Sequence, residues 1–420
     1  MKHAWIIAVG TELTLGQTVD TNSAWLGRQL AELGIRTTRH LTVPDELEPV
    51  RDAVTQAAGG ADVIIVTGGL GPTADDLTRQ AVAAAAGDDL VQDAVSLEQM
   101  RAFFVERGRP MPEPNLVQAL RPRSATALPN TCGTAPGIAI ELYGTPCYVL
   151  PGVPSEMEAM FAREVAPRLA AAARGGVLLY RRVQTFGLPE SELGARLGEL
   201  MARGRNPEVG TTASVGVIGV RINSFGDTRA AAQRLADETE AEVRRRLGDA
   251  VFATGDTTLA AAVGQLLLAR GATLAVAESC TGGLIAKELT DVPGSSAYFA
   301  GGVVAYANAL KTSLVGVDAA LLAADGPGAV SAPVAEALAV GVRRVAGTTF
   351  GIGMTGIAGP TGGSDEKPVG LVFIGVATPG GARVERFLFG GSHGRELIRE
   401  RAARTALNLL RLTLLAGGGV

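Results

Sequence analysis

The sequence predicts an α/β protein in which two α/β domains with largely parallel sheets are joined by a small α+β connector. Three observations support this prediction. The chain of 420 residues exceeds what one core usually holds, apolar runs of strand length alternate with segments of helical periodicity, and clusters among its 55 glycines follow the apolar runs. We place the three domains at residues 1–173, 174–255 and 256–420.

Composition narrows the classes of function. Hydrophobic residues make up 47% of the chain and charged residues 19%, which is typical of a folded globular protein. The net charge of −4 gives no overall basic surface and argues against direct nucleic-acid binding. The three cysteines, Cys132, Cys147 and Cys280, lack the spacing of a zinc site or a disulfide framework. No uncharged run is long enough to span a bilayer, so we expect a cytoplasmic protein with no membrane partner.

The first predicted domain opens on residues 5–9, an apolar run typical of a strand buried on both faces. Apolar residues at helical spacing predict a helix over residues 23–34, and residues 62–67 predict a second buried strand. The remaining elements predicted here are a hairpin of residues 137–140 and 147–150 and a helix from Ser155.

The connector is predicted to contain strands at residues 178–187 and 215–223 and a charged helix at residues 229–247. The arginines at 244–246 could contact nucleic acid, but such a run usually forms a solvated surface. In the last domain, helices are predicted at residues 259–270 and 396–415, and strands at residues 273–277, 301–305, 349–353 and 369–378.

Two polar segments of the first domain, residues 10–22 and 67–78, follow buried strands, where open α/β sheets bind ligands. Thr73 is expected to cap a helix, with Asp75 and Asp76 in its first turn. This aspartate pair fits two interpretations equally: it complements the helix dipole, or it holds a hard cation while backbone amides bind phosphates. Glu12 and Asp20 add acids to the same sheet edge and favour the second. The candidate residues are Gly10, Thr11, Gly69, Gly71 and Thr73 for phosphate and Glu12, Asp20, Asp75 and Asp76 for a metal.

Together with residues 151–157, these segments resemble the molybdopterin-binding-like domain at the front of the CinA family (competence/damage-inducible protein A). Some members of that family are associated with metal-dependent ADP-ribose pyrophosphatase activity. The resemblance therefore implies a divalent cation, Mg²⁺-like or Co²⁺, as a cofactor of this domain. It supports the fold better than the reaction.

The last domain has its first candidate cluster at residues 278–283, where a strand ends in Glu-Ser-Cys-Thr-Gly-Gly before a helix. Paired glycines leave backbone amides free to point at a phosphate, with the helix dipole behind them. We interpret Cys280 as an inert buried cysteine, because nothing nearby in sequence would lower its pKa.

The second cluster contains Ser295 and Ser296, then Tyr306 and Lys311. A serine needs a base to become a nucleophile, and no histidine lies nearby in sequence. A lysine desolvated among apolar residues can take that role because its pKa falls. The alternative for Tyr306 and Lys311 is a strand end followed by a solvated surface lysine, and the residues alone favour it.

The third and fourth clusters are the glycine-rich loop at residues 351–364 and the arginines that begin the terminal helix. So many glycines between strands indicate a backbone close to a ligand, and the loop adds hydroxyls at Thr355 and Thr361. The arginines Arg395, Arg399 and Arg401 could clamp a phosphate or form helix-surface ion pairs.

Five motifs in this order resemble the C-terminal domain of the CinA family, a nicotinamide-nucleotide amidohydrolase. They lie at residues 277–283, 293–296, 306–311, 355–360 and 367–370. The resemblance implies that Ser296 is the nucleophile, assisted by Tyr306, Lys311 and Thr355. Its implied substrate-binding residues are Ser279, Thr281, Gly282, Gly283, Gly356, Arg395 as the first choice for the phosphate and Arg399 as the second. Two positions depart from the family, which commonly has histidine where Pro327 stands and glutamate where Ala332 stands.

We therefore predict a homodimeric enzyme that converts nicotinamide mononucleotide to nicotinate mononucleotide and ammonia, with small-molecule nucleotide substrates and no cofactor for this reaction. The connector is expected to be KH-like. Two alternatives stay open: a metal-dependent ADP-ribose pyrophosphatase in the first domain, and the non-catalytic role in DNA uptake that the family name suggests.

Overall fold

The computed structural model describes residues 2–172 and 176–417. The chain divides into two compact units, residues 1–180 with 223–237 and residues 181–222 with 238–420. The predicted first domain boundary, at residues 173 and 174, lies outside the described residues. Of the helices in the described ranges, none combines the length and apolar character needed to cross a membrane.

The N-terminal part of the chain alternates strands and helices as predicted. Its strands are β1 (His3–Val9), β2 (Arg36–Val43), β3 (Val63–Thr67), β4 (Leu90–Gln92), β5 (Leu120–Pro122), β6 (Thr126–Leu128), β7 (Gly137–Leu142) and β8 (Thr145–Leu150). Its helices are α1 (Thr11–Thr14), α2 (Thr21–Glu32), α3 (Leu47–Ala58), α4 (Thr78–Ala86), α5 (Ala94–Glu106), α6 (Pro154–Met160) and α7 (Ala166–Ala172).

Six of these strands form one sheet in the order β2-β1-β3-β8-β7-β6. The first four are parallel, and β7 and β6 are added antiparallel. Both faces are covered by apolar clusters, which explains the uninterrupted apolar runs of β1 and β3. The hairpin of β7 and β8 is confirmed. The sequence patterns missed β2, because this edge strand is mostly polar.

The connector contains β9 (Val177–Phe186), β10 (Glu208–Ser214), β11 (Val217–Gly226), β12 (Val251–Thr254), α8 (Glu190–Leu197) and α9 (Arg229–Leu247). The strands form one sheet in the order β10-β11-β9-β12. The predicted arginine run on α9 is paired: Arg244 contacts Glu240 at 2.8 Å, and Arg245 and Arg246 each contact Glu242 at 2.6 Å. These ion pairs support the solvated-surface interpretation of that run.

The last domain contains β13 (Leu274–Glu278), β14 (Phe299–Val304), β15 (Phe350–Gly356), β16 (Leu371–Thr378) and β17 (Gly381–Leu388). Its helices are α10 (Leu259–Ala269), α11 (Leu284–Thr290), α12 (Asn308–Val315), α13 (Ala319–Leu322), α14 (Ala332–Ala346) and α15 (Gly394–Leu415). The sheet order is β14-β13-β15-β16-β17, with the first three strands parallel and the last two antiparallel.

The two faces of this sheet are covered by different helices. Alternate residues of β13 pack against α10, α11 and α15 on one face and against α12 and α14 on the other. Because β13, β14 and β15 are parallel, their carboxyl ends meet at one sheet edge, where such folds bind ligands. The predicted class of two α/β domains with largely parallel sheets is confirmed.

Candidate active site

A cleft of about 260 Å³ opens at the carboxyl ends of β13, β14 and β15. It brings together six of the residues predicted from the sequence: Ser279, Tyr306, Lys311, Thr355, Gly356 and Arg395. Its other polar side chains are those of Cys280, Asn308 and Thr361. The cleft is therefore lined by hydroxyls and two cationic side chains, without a carboxylate among its lining residues.

Lys311 lies at the floor of this cleft and is only 2% exposed. Its Nζ donates a 2.9 Å hydrogen bond to the carbonyl oxygen of Tyr306. Burial disfavours the charged ammonium and lowers the pKa of Lys311 below the ordinary lysine value. The structure thus excludes the alternative of a solvated surface lysine.

Tyr306 faces outward and meets the arginine at the mouth of the cleft. Its side chain is 58% exposed, and its hydroxyl oxygen accepts a 3.1 Å hydrogen bond from Nη2 of Arg395. Nη1 of Arg395 donates to the Gly359 carbonyl at 2.9 Å, which fixes the guanidinium beside the glycine-rich loop. The amine of Lys311 therefore contacts the backbone of Tyr306 rather than the phenol that was expected to assist it.

Ser279 is the serine that lines the cleft. Its backbone amide donates to the Met354 carbonyl at 3.1 Å, which ties the end of β13 to the end of β15. Its hydroxyl forms no hydrogen bond within the described part of the chain, so it is available to a ligand. Cys280 is buried beside it, and desolvation raises the pKa of its thiol to about 12. The prediction of an inert thiol is confirmed.

Thr355 lies in the cleft, but its hydroxyl already donates its hydrogen to an acceptor within the protein. Oγ1 donates a 2.7 Å hydrogen bond to the Ala329 carbonyl. The expectation that this hydroxyl would donate to a developing oxyanion is therefore not supported in this geometry. The backbone amides of Thr361 and Gly362, which line the same cleft, donate to no acceptor within residues 2–172 and 176–417. These two amides therefore remain available to an acceptor on a ligand.

At the turn after β13, where a phosphate was predicted to bind, backbone amides already donate hydrogen bonds to a carboxylate of the chain. Glu278 is fully buried and accepts from three backbone amides, those of Gly283 at 3.0 Å, Ile285 at 3.1 Å and Ala286 at 2.9 Å. This carboxylate compensates the positive end of α11, where a phosphate was expected. The sequence prediction of a phosphate site at this turn was wrong, because the acid that precedes the turn folds back onto its amides.

Three further predicted substrate-binding residues lie outside the cleft lining: Thr281, Gly282 and Gly283. Arg399 is used structurally, since its Nη2 donates to the Thr281 carbonyl at 2.6 Å. Arg395, the first choice for the phosphate, is the arginine that lines the cleft. Asn308, which lies in the third motif but was given no role from the sequence, also lines the cleft, as do Ala329 and Val330.

Ser296 is not brought to this cleft within the chain. It lies in a single 3₁₀ turn before β14, whereas Tyr306 and Lys311 follow β14. At roughly 3.3 Å per step, β14 spans about 17 Å from its first residue to its last, so the two groups adjoin opposite ends of this strand. Ser296 is exposed at its own end. The predicted meeting of its hydroxyl with the Lys311 amine therefore does not occur within one chain.

A smaller cleft of about 150 Å³ lies at the carboxyl ends of β1, β3 and β8. It contains Glu12 and Asp20 of the predicted set, with Asn22 and Thr67. Asn22 donates to the Thr67 hydroxyl at 3.1 Å and to the Gly152 carbonyl at 2.8 Å, and the Asp20 carboxylate caps α2 through the Ser23 amide at 2.9 Å.

The predicted loop after β3 is closed by its own aspartate. The Asp76 carboxylate accepts from the amides of Gly71 and Thr73, both at 2.8 Å, and from the Thr73 hydroxyl. Thr73 does not cap α4, which begins at Thr78, so neither aspartate lies in its first turn. Asp75 is exposed.

Two other predicted phosphate-binding amides, those of Gly10 and Thr11, also have protein acceptors. Gly10 donates to the Val43 carbonyl at 3.0 Å and Thr11 to the Asp45 carboxylate at 2.6 Å. At Gly69, with φ of +65°, a Cβ would collide with the Thr78 hydroxyl. Among the residues that the structure describes, no three His, Cys, Asp or Glu side chains gather closely enough to hold a metal ion. The four acids predicted as ligands therefore do not fit a metal in this arrangement.

Comparisons with known proteins cover the whole chain. Three family models match it: a probable molybdopterin binding domain over residues 5–171, the damage-inducible protein CinA KH domain over residues 180–253, and the CinA C-terminal domain over residues 256–414. The KH-like character predicted for the connector is thereby confirmed.

Two relatives that match nearly the whole chain agree with this assignment. A putative competence-damage inducible protein of Moorella thermoacetica is 46% identical over 99% of both chains. A CinA-like protein of Frankia casuarinae is 44% identical over 99% of this chain and 96% of its own. Among solved structures, protein CinA from Thermoplasma acidophilum is 36% identical, with a TM-score of 0.36, and covers 38% of this chain and 94% of its own. The chain belongs to the CinA family of competence- and damage-inducible proteins.

Proposed function

We propose that the C-terminal domain hydrolyses the carboxamide of nicotinamide mononucleotide to give nicotinate mononucleotide and ammonia. The observation that carries this proposal is the buried Lys311, whose pKa is lowered, in a cleft that also holds a free serine hydroxyl and an arginine. A buried lysine whose pKa is lowered can act as a base in its neutral form, and no histidine or carboxylate lines the cleft to take its place.

Ser279 is the serine that lines the same cleft as Lys311, and we assign its hydroxyl, rather than that of Ser296, as the attacking group within one chain. The neutral Lys311 amine accepts the Ser279 proton while the oxygen adds to the carboxamide carbon. The carbon–nitrogen bond then breaks, and the proton held by Lys311 leaves with ammonia. Water hydrolyses the resulting ester, with Lys311 again taking and returning a proton, so that Ser279 is regenerated.

Two other features of the cleft suit this substrate. The free amides of Thr361 and Gly362 can donate to the oxyanion of the tetrahedral intermediate, where one such donor is typically worth about 3 kcal/mol. Arg395 at the mouth can pair with the phosphate of the mononucleotide, because its guanidinium is exposed and its neighbours are a phenol and a carbonyl.

The test is ammonia release from nicotinamide mononucleotide by the full chain, compared with its Lys311→Met and Lys287→Met variants. Lys287 is a matched control, since it is an exposed lysine of the same domain in an ion pair with Asp291. We expect Lys311→Met to lose activity by about a hundredfold or more and Lys287→Met to retain it. A wild-type chain that releases no ammonia, or a fully active Lys311→Met, overturns the proposal.

The geometry does not favour the pyrophosphatase reaction to the same degree. The first domain has a cleft with two carboxylates, Glu12 and Asp20, but its loop amides are bonded to Asp76, Asp45 and backbone carbonyls. Within residues 2–172 and 176–417, the predicted acids do not gather into a metal-binding group that such a reaction would need.

A further inference from the structure

A second cavity, of about 400 Å³, lies between the connector sheet and the C-terminal domain. Its lining residues all belong to the compact unit of residues 181–222 and 238–420, on β9, β10 and β11, the segment that leads into α10, α11, α15 and the turn after α11. They form a separate set from the residues that line the cleft at Lys311. The volume falls within the range of small-molecule binding sites, about 300 to 1,000 Å³.

Arg182, on β9, is a cation of this cavity that no acid neutralises. The two other cations of the lining are already in ion pairs, Lys287 with Asp291 at 2.6 Å and Arg404 with Glu288 at 3.4 Å. Arg182 is half-buried, and its Nε is buried without a hydrogen-bond partner in the described part of the chain. A guanidinium in such a position favours a phosphate or a carboxylate, to which it donates two parallel hydrogen bonds.

The beginning of α10 adds backbone donors to the same cavity. The Thr258 hydroxyl caps this helix of eleven residues by accepting from the Ala261 amide at 3.2 Å. The amides of Leu259 and Ala260, which line the cavity, donate to no acceptor within residues 2–172 and 176–417. Free amides at a helix N-terminus, together with the helix dipole, are typical of a phosphate-binding site.

Two acceptors of the lining indicate that the ligand also carries hydroxyl groups. Gln184 is 6% exposed, and its Nε2 donates to the Gly255 carbonyl at 2.8 Å. That bond fixes the orientation of the amide and leaves Oε1 buried without a donor among the described residues, which costs free energy until a ligand supplies one. Asp256 is an exposed carboxylate of the same lining. A carboxylate disfavours a bare anion but accepts hydrogen bonds from the hydroxyls of a ribose.

The rest of the wall favours a ligand with a ring. Four aliphatic side chains contribute to it: Val217, Leu259, Ala260 and Val292. An apolar surface beside a few convergent polar groups is typical of a pocket that binds an organic molecule. Inorganic phosphate would leave this surface and the Gln184 acceptor without a partner.

We infer that this cavity binds a nucleoside monophosphate. Its phosphate binds to Arg182 and to the amides that begin α10, its ribose hydroxyls donate to Gln184 and Asp256, and its base packs on the aliphatic wall. The site is a second nucleotide site, separate from the cleft at Lys311, and the inference does not depend on the proposed function.

Hydrogen–deuterium exchange of the full chain tests this site where the ligand is expected to bind. The amides of Leu259 and Ala260 should exchange rapidly in the free protein, because they have no acceptor. Adenosine monophosphate should slow the exchange of a peptide that covers residues 252–262. Adenosine, which lacks the phosphate, should leave the exchange of this peptide unchanged. If adenosine monophosphate has no effect on this peptide, or adenosine has the same effect, the inference is wrong.

Two further probes separate the parts of the ligand. At equal concentration, ribose 5-phosphate should slow the exchange of the same peptide less than adenosine monophosphate does, because it lacks the base. Inorganic phosphate should slow it least. If inorganic phosphate or ribose 5-phosphate is as effective as the nucleotide, the cavity is a general anion or sugar-phosphate site and the assignment to a nucleotide fails.

A pair of variants tests the role of Arg182. Arg182→Met should weaken the binding of adenosine monophosphate, measured from the concentration dependence of this protection, by about tenfold or more. Arg221→Met is the matched control, since Arg221 is a half-buried arginine of the same sheet whose Nε is also buried without a partner in the described ranges, and it lies outside the cavity lining. This control should bind the nucleotide as the wild type does. Equal affinities of the two variants would overturn the assignment of the phosphate to Arg182.

Discussion

The amine of Lys311 donates its 2.9 Å hydrogen bond to the Tyr306 carbonyl, a neutral acceptor five residues earlier in the chain. No carboxylate lines the cleft to stabilise the charged form, and burial therefore lowers the pKa of this lysine. Burying a cation in this way costs free energy of folding, which a methionine of similar size would not. We therefore interpret the lysine at this position as serving binding or proton transfer.

The first prediction concerns pH. If neutral Lys311 is the base, the active form is the deprotonated one, so kcat/KM should rise with pH. The rise should pass through an apparent pKa below the ordinary lysine value, because burial lowers the pKa of Lys311. Lys311→Arg should be inactive across the profile, because a guanidinium stays charged. A wild-type profile that is flat across this range would contradict the role of Lys311.

A second prediction concerns Ser279. Ser279→Ala should lower kcat by at least about a hundredfold with little change in KM, because the hydroxyl acts in the chemical step. Ser313→Ala, on the exposed surface of α12, is the matched control and should retain full activity. Equal kcat values for the two variants would remove Ser279 from the mechanism.

A third prediction concerns Arg395. Because its guanidinium is placed to pair with the phosphate, Arg395→Ala should raise KM for the mononucleotide by about tenfold or more. The control is a substrate change: the nucleoside, which lacks the phosphate, should be hydrolysed equally by wild type and variant. If the variant hydrolyses the mononucleotide and the nucleoside less efficiently by the same factor, Arg395 acts by positioning Tyr306 or the loop instead of by binding the phosphate.

A fourth prediction concerns the stability of the turn after β13. Glu278→Gln keeps the shape but removes the charge that three amides and the α11 dipole stabilise, at a cost of about 2 kcal/mol. The unfolding transition of this domain should shift down by roughly 4 to 8 °C in calorimetry. Glu336→Gln, at an exposed position of α14, is the control and should leave Tm unchanged. An equal Tm for both variants would show that the buried carboxylate contributes little.

A fifth prediction concerns metal removal. The polar groups that line the C-terminal cleft are hydroxyls, a thiol, an amide, a lysine and an arginine, a set without the carboxylate ligands that hard cations prefer. Ammonia release should therefore persist after treatment with EDTA and dialysis. Loss of activity that Mg²⁺ or Co²⁺ restores would mean that a cation takes part in this half of the chain.

Much of the fold could be predicted from local sequence, and the reasons are visible in particular elements. The apolar runs of β1, β3 and β13 are buried on both faces, so composition alone marks them, and the helical periodicity of α9 and α10 matches their observed bounds closely. The polar edge strand β2 and the charged edge strand β17 were missed, since partial exposure removes the apolar signal.

The candidate site was predictable only in part. Ser279 and Lys311 belong to separate motifs that parallel strands and a following helix bring to one cleft. Arg395 lies outside those motifs and was the first choice among the arginines that begin the last helix. Whether an amide is free is a different question. At Glu278 and Asp76 the chain supplies its own anion to the amides that were assigned to phosphate, because a nearby carboxylate reaches them without the entropy cost of binding a ligand.

The sequence by itself determined the family, the alternation of strands and helices, and the residue types available for amide chemistry. The tertiary structure decided which of them meet. Ser296 and Lys311 are fifteen positions apart, yet the extended strand β14 lies between them, and they adjoin its opposite ends. Ser279 and Lys311 are farther apart in the chain but line the same cleft. The physical reason is that a strand converts sequence separation into distance, while the parallel packing of its neighbours brings distant segments together.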